Sequence, residues 1–138
     1  MRAGGGPGIV GLELAGSPER VEGILAAWGP EGCAAARRSL LIDYGVLACY
    51  GPLMATLCRA SAARLEDRGR PRLARLGRGL AAAQLAAAGC DVAENAALLA
   101  VLSGRRGPLP RVATTSATAK FTLLGAGLAY GAAALASR

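Results

Sequence analysis

Histidine is missing from all 138 residues, and that one gap excludes a good deal of chemistry. It removes the usual base for a serine or cysteine nucleophile, the usual haem ligand and the commonest ligand of metal centres. The four cysteines, Cys33, Cys49, Cys58 and Cys90, form no C-x-x-C pair and no zinc-like spacing. Three of them lie in or beside apolar runs, where Cys behaves as a small hydrophobe, so neither a disulfide framework nor a zinc site is expected. No metal and no cofactor follow from these residues. Acids are scarce, 9 against 16 basic residues, and all the basic residues but Lys120 are arginine. A net charge of +7 would suit nucleic acid, but rings for stacking are few and the arginines flank apolar runs. That placement is what membrane topology requires, and nucleic acid is not expected as a partner. A cleavable secretory leader is not visible either, because MRAGGGPG lacks an apolar stretch and the first long apolar run opens only at Leu40. The same glycines are followed by neither a strand pattern nor a phosphate-binding lysine.

What the chain does have is apolar length. Hydrophobic residues make up 53%, charged residues 18%, and the mean hydropathy is +0.37. A soluble domain this small must cover a modest core with a large polar surface, and too little polar material is present for that. The charges sit in short clusters between long uncharged stretches, which suits helices crossing lipid.

Residues 1–16 are expected to form a flexible tail ahead of a single helical membrane domain, residues 17–138. Residues 17–28 predict a short amphipathic helix: Ser17 can cap it, Pro18 fits its first turn, and Glu19 and Glu22 favour its N-terminal end. Val21, Ile24, Leu25 and Trp28 make one apolar stripe, and Gly29-Pro30 ends it. Trp28 fits either a membrane interface or packing against the remaining helices. The first spanning segment is residues 39–58, whose twenty residues cover roughly 30 Å, with a kink expected at Gly51-Pro52. A basic connector, residues 59–78, follows with seven arginines, and Gly69 and Pro71 mark its turn. The second span is residues 79–102, Ala-rich and suited to close helix contact. The third is residues 112–136, where Gly125 and Gly127 again suggest tight contact. The expected fold class is therefore all-α: a membrane helical bundle of three transmembrane helices plus one N-terminal interfacial or packing helix. The connector and C-terminus carry eight arginines and the opposite side five close to the membrane, which puts the N-terminus outside and the C-terminus in the cytoplasm.

Four ionisable residues fall inside the spans: Asp43, Asp91, Glu94 and Lys120. Each costs ~2.5 to 3.5 kcal/mol on insertion scales, so such residues face a bundle interior or a water-filled cavity. Asp91, Glu94 and Asn95 follow i, i+3, i+4 spacing and form one stripe, with Gln84 two turns away on about the same face. Glu94 and Lys120 each lie eight residues from the same membrane edge, roughly 12 Å deep, with Asp91 a turn deeper and Asp43 about a turn shallower. Two readings stay open. In one, Lys120 neutralises an acid while Asn95, Thr118 and Thr122 act as polar glue between helices. In the other, three acids against one lysine leave a carboxylate, Asp91 or Glu94, able to donate a proton as a general acid. Tyr44 and Tyr50 fit either reading, as packing residues or as members of the polar cluster.

The run S-L-L-I-D-Y followed by Y-G-P-L, then G-C-D-V-A-E-N-A-A-L-L and A-K-F-T-L-L, resembles a group of small uncharacterised bacterial integral membrane proteins. The group carries an acid-aromatic pair in the first membrane helix, D-x-x-E-N in the second and K-[FW] in the last. The matching positions here are Asp43, Tyr44, Tyr50, Asp91, Glu94, Asn95, Lys120 and Phe121, and the likeness covers roughly residues 17–136. It implies a four-helix architecture in the bacterial inner membrane and no particular activity. Three functions compete: a structural or accessory membrane protein, an enzyme or carrier acting on a lipid-like or isoprenoid molecule, and a soluble Ala-rich helical bundle. The partners they imply are membrane lipid, a hydrophobic small molecule and a second copy of the chain.

Overall fold

The computed structural model describes residues 7–105 and 107–137. Their regular structure is helical throughout: α1 (Ile9–Glu13), α2 (Pro18–Asp67), α3 (Pro71–Leu102) and α4 (Leu109–Ala136), an all-α bundle. Each of the three long helices is long and apolar enough to cross a membrane.

Local chemistry sets the helix boundaries. The Arg20 amide donates to Ser17 Oγ at 3.4 Å, placing a hydroxyl over the open N-terminus of α2. Inside α2 one residue is non-helical, Gly29, with φ 62° and ψ −174°. A side chain resists that conformation, and Pro30 directly after it is preset for a new first turn. The helix consequently restarts at once. It already runs from Pro30 and continues to Asp67, a longer element than a span of residues 39–58. Gly51-Pro52 does not interrupt it, since Gly29 alone departs from helical angles.

The basic stretch 59–78 is correspondingly not a loop. Alanine, leucine and arginine are good helix formers, and only Arg68, Gly69 and Arg70 leave the helix. There the Arg70 amide donates to Leu65 O and the Gly69 amide to Glu66 O, both at 2.9 Å, with Gly69 at φ 70°. This paired closure, a Schellman motif, satisfies carbonyls that the helix end would leave open. The end of α3 repeats it: the Arg105 amide donates to Ala100 O and the Gly104 amide to Val101 O, with Gly104 at φ 88°. The N-terminal segment also departs from expectation. Residues 1–6 of the expected tail lie outside the described residues, while Ile9–Glu13 are helical and bury Leu12 and Glu13.

The chain divides into two compact units, the segments up to Val46 and Cys90–Thr118, and the segments Leu47–Gly89 and Ala119 onward. The first has an apolar core of Leu12, Val21, Leu40, Leu98, Val101 and smaller residues, with Ile24, Leu25 and Trp28 packed against it. Trp28 is half-buried there and its indole N–H donates to Pro7 O at 2.8 Å. The second unit is built from smaller side chains, Ala55, Cys58, Ala81 and Ala134, around Leu65 and Tyr130. Glycine permits the closest approaches in it: a Cβ at Gly51 would stand 2.9 Å from Ala88 Cβ, and one at Gly77 would stand 2.6 Å from Tyr130 Cε1.

Candidate functional site

On α3 the buried positions Gln84, Ala87, Asp91, Glu94, Asn95, Leu98 and Val101 recur at helical spacing and form one seam. Four of these seven are polar. Gln84 and Glu94 are fully buried, and Asn95 and Asp91 are nearly so. Several large apolar side chains are exposed, Ile42 at 71% and Leu53 at 68% among them. The informative feature is the burial of polar side chains, which must find partners there.

In the first unit, Asn95 Nδ2 donates to Asp43 Oδ2 at 2.8 Å, joining α3 to α2. Because its helix begins at Pro30, Asp43 lies roughly three and a half turns in, not in a first turn as the shorter span implied. Tyr44, beside it, is half-buried. Asp91 and Glu94 share the buried face with Asn95, and neither is without a partner.

Lys120 and Tyr50 belong to the second unit. Lys120 is buried, is not without a partner, and holds its Nζ 4.8 Å from the centroid of the Phe121 ring. That distance suits a cation–π contact, which gains strength away from water. Tyr50 is half-buried and likewise engaged.

Several contacts escaped the sequence reading. Gln84 Nε2 donates to Leu123 O at 2.9 Å, while its Oε1 is buried without a hydrogen-bond partner. A Cβ at Gly127 would stand 2.7 Å from Gln84 Cδ, so the amide fits only because α4 has glycine there. Gly125, expected to do the same work, meets nothing within 4 Å. The Tyr130 hydroxyl donates to Leu73 O at 3.0 Å, and Thr114 Oγ1 donates to Glu13 O at 2.8 Å. Arg37 donates to Leu102 O at 3.2 Å and to Ser103 Oγ at 3.0 Å, placing a cation at the C-terminal end of α3. The apolar run around Leu12 was the one available signal for the N-terminal contact. No sequence pattern marks Gln84 against Gly127, because that pairing depends on helix rotation.

Most of these interactions run from a side chain of one helix to another helix, several of them to its backbone. Buried polar groups used in that way bind helices together when the surroundings supply no hydrophobic drive. Compared with family models, curated proteins and solved structures, the chain matches none.

Proposed function

We propose that this chain is a small integral protein of the bacterial cytoplasmic membrane with a structural or accessory role. In this reading its N-terminus lies outside, its C-terminus lies in the cytoplasm, and its buried polar groups hold the helices in one arrangement. A single observation carries the reading: three helices long and apolar enough to cross a membrane leave Ile42, Leu53, Leu128 and Leu135 exposed while Gln84, Asp91, Glu94, Asn95 and Lys120 are buried among apolar residues. Lipid tails are as apolar as leucine, so in a bilayer that outward face costs nothing and the inward hydrogen bonds supply the cohesion. In water those exposed apolar side chains would contribute nothing to the hydrophobic drive that folds a domain of this size.

The bond from Asn95 on α3 to Asp43 on α2 supports a role in assembly. An enzyme or carrier would need a carboxylate held ready for a substrate. Here Asp43 accepts from Asn95 in the first unit.

Two measurements test the proposal. Expressed protein is expected to stay in the membrane pellet after an alkaline wash and to require detergent for release. Release into the supernatant would restore the soluble-bundle reading. Lys120→Met removes a buried, engaged cation and is expected to cost about 1 to 5 kcal/mol, read as a lower midpoint of denaturant unfolding in detergent. A Lys120→Met protein with the parent midpoint would remove the assembly role.

A further inference from the structure

Within the second unit, the turn Arg68-Gly69-Arg70 joins two helical ends dense in arginine, Arg59 and Arg64 on α2 and Arg72, Arg75 and Arg78 on α3. Residues 59–78 hold seven arginines against Glu66 and Asp67, a net charge of +5. Two of the seven are committed internally: Arg78 Nη1 lies 2.8 Å from Glu66 Oε2, and Arg68 donates to Ser137 O. Among the described residues, Arg59, Arg64, Arg70, Arg72 and Arg75 are exposed and donate no side-chain hydrogen bond within the chain.

Leucine is exposed at the same level of α3. Leu73 is 42% and Leu76 53% exposed, while Ala74, Gly77 and Ala81 make the buried face. At about 100° per residue, Leu73, Leu76 and Leu80 line one flank and Arg72, Arg75 and Arg78 the other. Bare leucines among arginines at one depth suit the zone where acyl chains give way to headgroups. Cα–Cβ bonds tilt toward a helix's N-terminus, so the α3 arginines reach toward the turn at the hairpin's end, away from the apolar stretch that follows. A guanidinium there offers forked donors that match a phosphate.

We propose that the α2–α3 hairpin end binds anionic phospholipid headgroups, with Arg59, Arg64, Arg72 and Arg75 on the phosphates and Leu73 and Leu76 at the acyl boundary. This inference rests on the membrane reading above. A cluster of 4 to 8 basic residues beside a spanning helix is the size that recognises an anionic leaflet, each contributing about a fivefold factor at low salt.

The test uses the full chain in bilayer discs of phosphatidylcholine containing a minority of phosphatidylglycerol. Lipid retained on the protein is read by native mass spectrometry. The parent protein is expected to retain phosphatidylglycerol above its bulk proportion, less so as salt rises. R72Q/R75Q is expected to lower that preference about fivefold for each arginine removed, while R38Q/R111Q, an equal loss of charge on exposed arginines elsewhere, leaves it unchanged. R59Q/R64Q gives a second reading on the other helix if R72Q/R75Q loses its helical circular dichroism. No preference in the parent, equal losses in the 72/75 and 38/111 pairs, or a preference that survives loss of the hairpin arginines overturns the assignment. Displacement of the lipid by inorganic phosphate alone would overturn it as well. Failure here with retention through an alkaline wash leaves the membrane reading standing, whereas release in that wash removes both.

Discussion

Asn95 and Asp43 present the simplest energetic comparison in the chain. Their 2.8 Å bond joins a neutral donor to a carboxylate oxygen, and Asn95 is almost fully buried. An interhelical hydrogen bond in a membrane contributes on average only ~0.6 kcal/mol, but removing one partner strands the other at about 1 to 3 kcal/mol. The second effect is the larger. Asn95→Leu is therefore expected to lower stability by about 1 to 3 kcal/mol, whereas Asp43→Asn, which keeps an acceptor oxygen, costs under about 1 kcal/mol. Denaturant titration in detergent measures both, and equal losses would show that the carboxylate charge, not the bond, matters. The shared face of Asp91, Glu94 and Asn95 was legible from their spacing alone, because helical periodicity is local. That Asp43 would be the acceptor was not legible, since it depends on how far one helix is rotated against another.

At the scale of whole helices, two glycines of α4 that look alike in sequence have opposite roles. Gly127 backs onto the Gln84 amide, and Gly125 faces open space. Gly127→Ala is expected to destabilise by about 1 to 3 kcal/mol through overpacking, with Gln84→Ala in the same chain restoring part of the loss. Gly125→Ala is expected to stabilise by up to about 1 kcal/mol, because alanine loses less backbone freedom in a helix interior. Unfolding midpoints of the three variants form the check, and a loss at Gly125 equal to that at Gly127 would contradict the contact geometry. The helix ends teach a similar lesson. Arginine density in residues 59–78 suggested a connector, but charge does not stop a helix, and alanine and leucine carried α2 on to Asp67. The stops came from glycines at positive φ, Gly69 and Gly104, each closing a carbonyl-satisfying turn. Gly51-Pro52 reads as a break yet stays helical, with Gly51 against Ala88 of α3.

For the molecule as a whole, the proposed orientation makes a prediction from the distribution of arginine. By sequence, the connector and C-terminus carry eight arginines against five in the other flanking segments, so under that proposal a reporter that fluoresces only in the cytoplasm is expected to work at the C-terminus and fail in the α3–α4 turn. The reverse pattern would invert the orientation and place the hairpin arginines against the outer leaflet. The class of the fold, its three long apolar helices and the burial of Asp91, Glu94, Asn95 and Lys120 follow from amino-acid order alone. Hydrophobic length, helix propensity and the cost of charge in oil are sums over neighbouring residues, and neighbours are what a sequence records. Which glycine admits Gln84, which acid meets Asn95, and why Ile9–Glu13 fold back with Glu13 O bonded to Thr114 are matters of register and rotation between distant segments. Packing decides them, because a shift of one residue along a helix turns a side chain by about 100° and exchanges every partner it has.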